Sequence, residues 1–196
     1  VWGGSSLNIY NNTPEIKRQI LFMKECFNKV KHIFAICWGM QVAVTAAGGI
    51  VKKSENGAHI GIARDIKIND AGQEHPIYKN KKKLFNSPAF NFDEVETLPN
   101  GSTLLASNPI NKVQGIQFEK GISKIWGIQY HPEITYNKMI SLINFRKDRL
   151  INFRKVFKNE KDIDDHIKNI EEENQRTNKH SRMQEVKNWL EFINES

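Results

Sequence analysis

The stretch from Ile33 to Gly49 constrains this chain most. Ile33-Phe34-Ala35-Ile36 is a short continuous apolar run of the kind buried on both faces in a parallel sheet. It ends at Cys37, and residues 39–47 then read as a helix stopped by Gly48-Gly49. A buried strand, a sharp turn and a helix in that order are an α/β signature. The expectation is a three-layer α/β/α fold with a mostly parallel central sheet.

The flanking pattern extends that reading. Thr13-Pro14-Glu15 is a helix start with Pro at the first helical position, and Ile16, Ile20, Phe22, Met23 and Phe27 mark a helix over 13–29. Residues 60–63 and 65–68 carry short apolar patterns separated by turns. Strands are expected over 103–106, 113–118 and 125–130, and Leu84-Phe85 leads into a loop at Asn86-Ser87-Pro88. From Tyr136 the character becomes helical. Leu142-Ile143-Asn144-Phe145-Arg146-Lys147 is nearly repeated at Leu150-Ile151-Asn152-Phe153-Arg154-Lys155, a local helical coincidence rather than a repeat architecture. Residues 159–182 are highly charged and weakly periodic. A last helix near 184–194 offers Val186, Trp189, Leu190 and Ile193 as an apolar face. The division expected is residues 1–140 as the main domain and 141–196 as a helical C-terminal extension that packs on the domain or on a partner. The opening Val1-Trp2-Gly3-Gly4 has neither an initiator Met nor a signal-peptide layout, so the domain is expected to be N-terminally incomplete by at least one strand.

Composition excludes several classes of function. With 196 residues, 39% hydrophobic and 26% charged, the chain can bury a core without disulfide or metal. No apolar run reaches membrane-spanning length, so no membrane partner is expected. Two cysteines, Cys26 and Cys37, have no short spacing; that argues against a disulfide framework and a zinc site, and fits a cytoplasmic setting. The charge of +7 is scattered, and its one cluster, Lys79-Asn80-Lys81-Lys82-Lys83, reads as a solvated loop. No aromatic-interleaved basic groove accompanies it, so no nucleic-acid partner is expected.

The chemistry gathers at two places. Ala35-Ile36-Cys37-Trp38-Gly39 has the small-x-nucleophile-x-Gly form of a nucleophile elbow, in which a tight turn exposes the side chain at the carboxyl end of the sheet. The helix that follows aims its N–H groups at the sulfur and favours the thiolate. The Trp38 N–H is placed to bind an oxyanion. A lone cysteine is more often buried and inert, so the elbow needs a second signal. His131 supplies it, in the run Gln129-Tyr130-His131-Pro132-Glu133 at the end of the last strand. An imidazole can take the thiol proton and return it to a departing amine. Glu133, two residues on, can hold the other ring nitrogen, and Pro132 stiffens the link between them. His32, His59, His75, His166 and His180 have no partner at metal spacing.

Cys37-Trp38-Gly39-Met40-Gln41 with Tyr130-His131-Pro132-Glu133, 94 residues apart from cysteine to histidine, resembles the class I (triad-type) glutamine amidotransferases. The likeness is greatest to the stand-alone subgroup similar to the amidotransferase part of GMP synthase, and covers roughly Gly3 to Tyr136. It implies the flavodoxin-like fold of that family and hydrolysis of L-glutamine to glutamate and ammonia through a γ-glutamyl thioester on Cys37. His131 would be the base and Glu133 its orienting partner. The resemblance also implies an oxyanion hole from Gly3, Gly4 and Trp38, and substrate contacts from Gln41, Phe90 and Asn91. Ala35 stands where the family usually has Gly, and Asn91 where relatives often carry His. No metal or cofactor is implied. With no ATP-binding Gly-rich loop in the chain, a separate synthetase or acceptor protein would use the ammonia. A γ-glutamyl hydrolase or peptidase, and a non-catalytic regulatory homologue, are the alternatives.

Overall fold

The computed structural model describes residues 7–195. In chain order the elements are α1 (Pro14–Cys26), β1 (His32–Ile36), α2 (Trp38–Ala46), β2 (Ile50–Lys53), β3 (His59–Ile60), β4 (Ala63–Ile68) and α3 (Asp70–Glu74). They continue with β5 (Leu84–Ser87), β6 (Phe90–Asn91), β7 (Asp93–Thr97), β8 (Thr103–Ser107), β9 (Gly115–Lys120) and β10 (Ser123–Ile128). The last third is helical: α4 (Tyr136–Phe145), a π-helical turn Arg149–Phe153, α5 (Glu160–Arg176), α6 (Lys179–Arg182) and α7 (Gln184–Asn194).

Six strands form the main sheet in the order β1-β10-β9-β8-β4-β5. Where a mostly parallel sheet was expected, the described strands form a mixed one. Only β1 and β10 run parallel, with Ala35 opposite Gly127 and Ile36 opposite Ile128; the other pairings are antiparallel. The reason is connection length: Lys120 and Ser123 are joined by a tight turn, and such a turn can only link antiparallel neighbours. Two two-stranded ribbons, β2 with β7 and β3 with β6, flank the sheet.

Strict alternation gives the sheet two buried faces. Ile33, Ala35, Ile116, Phe118 and Ile125 turn toward α1 and α2, while Phe34, Ile36, Leu105, Trp126 and Ile128 turn toward the opposite side. The second face is covered by α7. Trp189 stacks on Phe34 with ring centroids 5.3 Å apart and meets Trp126 edge-on at 5.2 Å, and Phe192 stacks on Trp126 at 4.5 Å. Helices therefore lie on both sides of the sheet, as the strand-turn-helix signature implied. α4 and α5 enclose a third core, built on Ile60, Ile143, Leu150, Ile163 and Ile170.

Several local readings are corrected. Leu84–Ser87 is a strand paired with β4, not the lead into a loop, because Leu84, Phe85 and Ser87 meet Lys67, Ile66 and Ala63 across a bulged ladder. β2 and β7 pair Lys52 and Lys53 with Glu94 and Asp93, charged residues that hid their pairing. Phe22, placed on the apolar face of α1, is exposed, since the buried stripe runs through Ile16, Met23 and Phe27. On α7, Trp189 is buried as expected, but Leu190 is exposed. The helix is rotated so that Glu185 and Asn188, both with polar partners, face inward. Lys81, assigned to a solvated run, is buried against Glu185 at 2.9 Å.

Trp189→Ala removes the ring on which Phe34 and Trp126 pack, and is expected to cost about 3–5 kcal/mol. Chemical denaturation followed by far-UV circular dichroism checks this; a loss under about 1 kcal/mol would mean that α7 is not part of the cooperative core.

Candidate active site

The site is built where β1 gives way to α2. Cys37 holds the junction with φ 51° and ψ −108°, a left-handed backbone that a β-carbon makes costly. Two bonds hold it there: its N–H donates to the Ile128 carbonyl at 2.7 Å, and its carbonyl accepts from Gln41 N–H at 3.1 Å. The turn leaves the thiol at the carboxyl end of the sheet, in the first turn of α2. Close approach of α2 to β10 depends on Gly127: a β-carbon there would lie 2.8 Å from Met40 Cγ and 2.8 Å from Ile116 Cγ2.

Residues 127, 129 and 131 extend from β10 on the α2 side. Gln129 is fully buried; its Nε2 donates to Cys37 Sγ at 3.4 Å, and its Oε1 accepts from Gln41 Nε2 at 3.3 Å. His131 is buried, and Cys37 acts on it electrostatically from one side. On the other, its Nδ1 meets Glu133 Oε1 at 2.6 Å. Burial alone would lower the His131 pKa, but interaction with Cys37 and the hydrogen bond to the Glu133 carboxylate outweigh it and raise it to about 10. The Cys37, His131 and Glu133 of the sequence reading are thus brought to one end of the sheet, with His131 joined to Glu133.

An open cleft leads to the sulfur. Cys37, Trp38, Gln41, Phe90 and Asn91 all line it. The Trp38 indole is anchored to Gln19 Oε1 at 2.7 Å, which leaves its backbone N–H at the start of α2. The Asn91 amide is engaged inside the protein: Nδ2 donates to Asp93 O and Asn111 Oδ1, both at 3.0 Å, and Oδ1 accepts from His59 Nδ1 at 3.1 Å. His59 in turn accepts from Asn108 at 2.9 Å, and burial pushes its pKa down to about 4, so it is a neutral structural residue. Gly3 and Gly4, named for the oxyanion hole, lie outside the described residues.

The C-terminal helices reach the site from the far side. Arg182 donates through Nη1 to the carbonyls of Pro132 and, at 2.9 Å, Ile134, bracing the turn that carries His131 and Glu133. Burial lowers its pKa, with the Glu133 carboxylate opposing. Tyr130 OH donates to Glu185 Oε1 at 2.7 Å, and Lys81 Nζ pairs with Glu185 Oε2. Sequence reasoning missed Gln129, although a polar residue one alternation before His131 in a buried strand was a usable signal. Arg182 gave none, because its partners are 48 and 50 residues away in the chain.

A strained cysteine at a strand–helix junction, a buried histidine and a carboxylate behind it stand at the carboxyl end of the sheet of an α/β protein. The glutamine amidotransferase class-I family model matches residues 10–147, and the chain belongs to that family. Among curated proteins, a γ-glutamyl-L-1-hydroxyisopropylamide hydrolase of a Pseudomonas species is 36% identical over 135 residues, covering 67% of this chain and 45% of that protein. The chain therefore spans less than half the length of that relative. A glutamine-hydrolysing GMP synthase subunit of Methanococcus vannielii is 28% identical, with 71% of each chain covered. A solved glutamine amidotransferase of Thermotoga maritima shares the fold with TM-score 0.72 at 18% identity, covering 98% of this chain and 76% of that one. One from Methylobacillus flagellatus matches with TM-score 0.63 at 13% identity, covering 94% and 74%.

A histidine whose folded pKa lies above the unfolded value of about 6.5 stabilises the fold below that pH. That contribution is lost as pH rises through about 10. Glu133→Gln removes the charged acceptor, so the His131 midpoint, followed by NMR of its Cε1–H, is expected to fall; an unchanged midpoint contradicts the assignment. Arg182→Leu is expected to speed amide exchange in residues 132–135 roughly tenfold or more through loss of charged hydrogen bonds, with Arg182→Lys intermediate. Mass-resolved hydrogen exchange reads this directly, and no change would mean that the turn holds itself.

Proposed function

We propose that this chain hydrolyses the side-chain amide of L-glutamine through a γ-glutamyl thioester on Cys37. The observation that carries the reading is the buried His131, in contact with Glu133 at 2.6 Å, set beside Cys37 at a strained strand–helix elbow. The proton shared between Cys37 and His131 rests on the imidazole as Sγ attacks the γ-carbonyl carbon. The negative charge on the carbonyl oxygen is met by the Trp38 N–H, together with the Gly3-Gly4 loop that the family pattern implies. The C–N bond breaks as His131 delivers its proton to the departing nitrogen, releasing ammonia. Water, deprotonated by the same imidazole, then attacks the thioester, glutamate leaves, and the Cys37 thiol is restored. Glu133 holds the ring and stabilises its charged form; Gln41, Phe90 and Asn91 border the bound substrate.

The relatives that are GMP synthase subunits support a separate synthetase as the consumer of ammonia. The Pseudomonas relative supports a second reading, in which the leaving group is an organic amine and the product is glutamate plus that amine. Both readings share every step at Cys37 and differ only in what departs.

Glutamate release is the test, run with glutamine and with N-substituted γ-glutamyl amides beside a Cys37→Ala control. Turnover is expected to vanish in Cys37→Ala and to fall about 10²–10⁴-fold in His131→Asn. Faster turnover of substituted amides than of glutamine would favour the hydrolase reading. Silence on every compound would favour a non-catalytic homologue.

A further inference from the structure

The near-repeat of Leu142–Lys147 at Leu150–Lys155 places its arginines at the mouth of the cleft. Arg146 lies over the Phe90 ring at 5.1 Å, and Arg154, at the matching position of the second copy, lies over Phe92 at 4.4 Å. Arg149, from the π-helical turn between them, lines the same cleft as Cys37. Three guanidiniums therefore converge on one opening. Burial lowers the Arg146 pKa, and the charges of Arg149 and Arg154 lower it further. Arg18 and Arg176 have carboxylate partners; among the described residues Arg146, Arg149 and Arg154 have none within ion-pair distance. Arg154 donates instead to Asn8 Oδ1 at 3.3 Å. The cleft also holds one carboxyl group, Asp93, raised in pKa by burial and bonded by Asn8 at 2.7 Å and Tyr10 at 3.0 Å.

The amino-acid end of a γ-glutamyl compound offers one ammonium and one carboxylate. Asp93 suits the first, and one guanidinium suits the second. Arg154 lies within the field of Asp93, and Arg146 and Arg149 repel each other across the cleft without a carboxylate at ion-pair distance among the described residues. Contact with the Phe90 and Phe92 faces holds two of the three guanidiniums in place, and a guanidinium so placed can receive a carboxylate in two parallel bonds.

We infer that Arg146, Arg149 and Arg154 form a subsite for a second carboxylate, so that the favoured substrate is a γ-glutamyl compound whose amine half is itself an amino acid. The inference rests on the thioester reading of Cys37. Hydrolysis then adds water across the γ-amide and yields glutamate and a second amino acid, with no other reactant.

The test compares kcat/KM on γ-glutamylglutamate with that on neutral γ-glutamylmethylamide, in the wild-type protein and in Arg149→Gln and Arg146→Gln. Wild type is expected to favour the acidic compound roughly tenfold or more, the worth of a charge-assisted hydrogen bond, chiefly through KM. Each variant is expected to bring the ratio toward one. Affinities of the same two compounds for the Cys37→Ala protein, by calorimetry, give a readout that needs no turnover. Equal turnover of both compounds overturns the subsite and leaves the thioester reading intact. Arginine-dependent preference in binding without any turnover keeps the subsite and removes the thioester reading. Absence of both turnover and binding overturns the two together.

Discussion

The left-handed backbone of Cys37 is the constraint on which the rest of the structure depends. A non-glycine residue at φ 51° is held against a cost of about 1–3 kcal/mol, so its surroundings must over-determine it. They do so from both sides. The parallel pairing of β1 with β10 sets Ile128 to accept from the Cys37 N–H, and α2 begins at Trp38, so the Cys37 carbonyl is already an acceptor for Gln41. The same register brings Gln129 and His131 beside the sulfur. One strand pairing thus fixes the strain, the position of the thiol and the approach of His131.

The electrostatics follow from that geometry. Desolvation works against a charged imidazole, yet the neighbours on its two sides, Cys37 and Glu133, outweigh it. The turn bearing Glu133 is in turn tied to the C-terminal helices by Arg182, while Tyr130, just before His131, is tied to Glu185. The Lys81–Glu185 ion pair, with both side chains almost without exposure, gains its stability from further bonds to Tyr130 and the Ser181 carbonyl. The helices after residue 147 lie beyond the family match, but the site leans on them.

How much was legible in the sequence varied with the range of the interaction. The strand-turn-helix around Cys37 is local, and an uninterrupted apolar run followed by a glycine-stopped helix encodes it directly. The contact between His131 and Glu133 is also local. What the sequence did not reveal was non-local: the mixed sense of the sheet, the β5 pairing with β4, and the inward turn of α7. In the last case an amphipathic pattern of Leu190 and Ile193 pointed to the wrong face, because Glu185 and Asn188 find partners that only the tertiary fold supplies. The duplicated Leu-Ile-Asn-Phe-Arg-Lys stretch is plain in the sequence. Its consequence, two arginines stacked on Phe90 and Phe92, required the positions of those rings.

The central claim is that Cys37, and not the helix-borne Cys26, is the nucleophile of this fold. Cys26 is an internal control, since burial raises its pKa and it lies away from the cleft. Incubation with a chloroketone analogue of glutamine, followed by peptide mass mapping, reads the claim without any need to know the natural acceptor. One adduct on Cys37, protected by excess glutamine or a γ-glutamyl amide, is the expected result. Labelling of Cys26 with Cys37 untouched, or labelling of Cys37 that no γ-glutamyl compound slows, would contradict it.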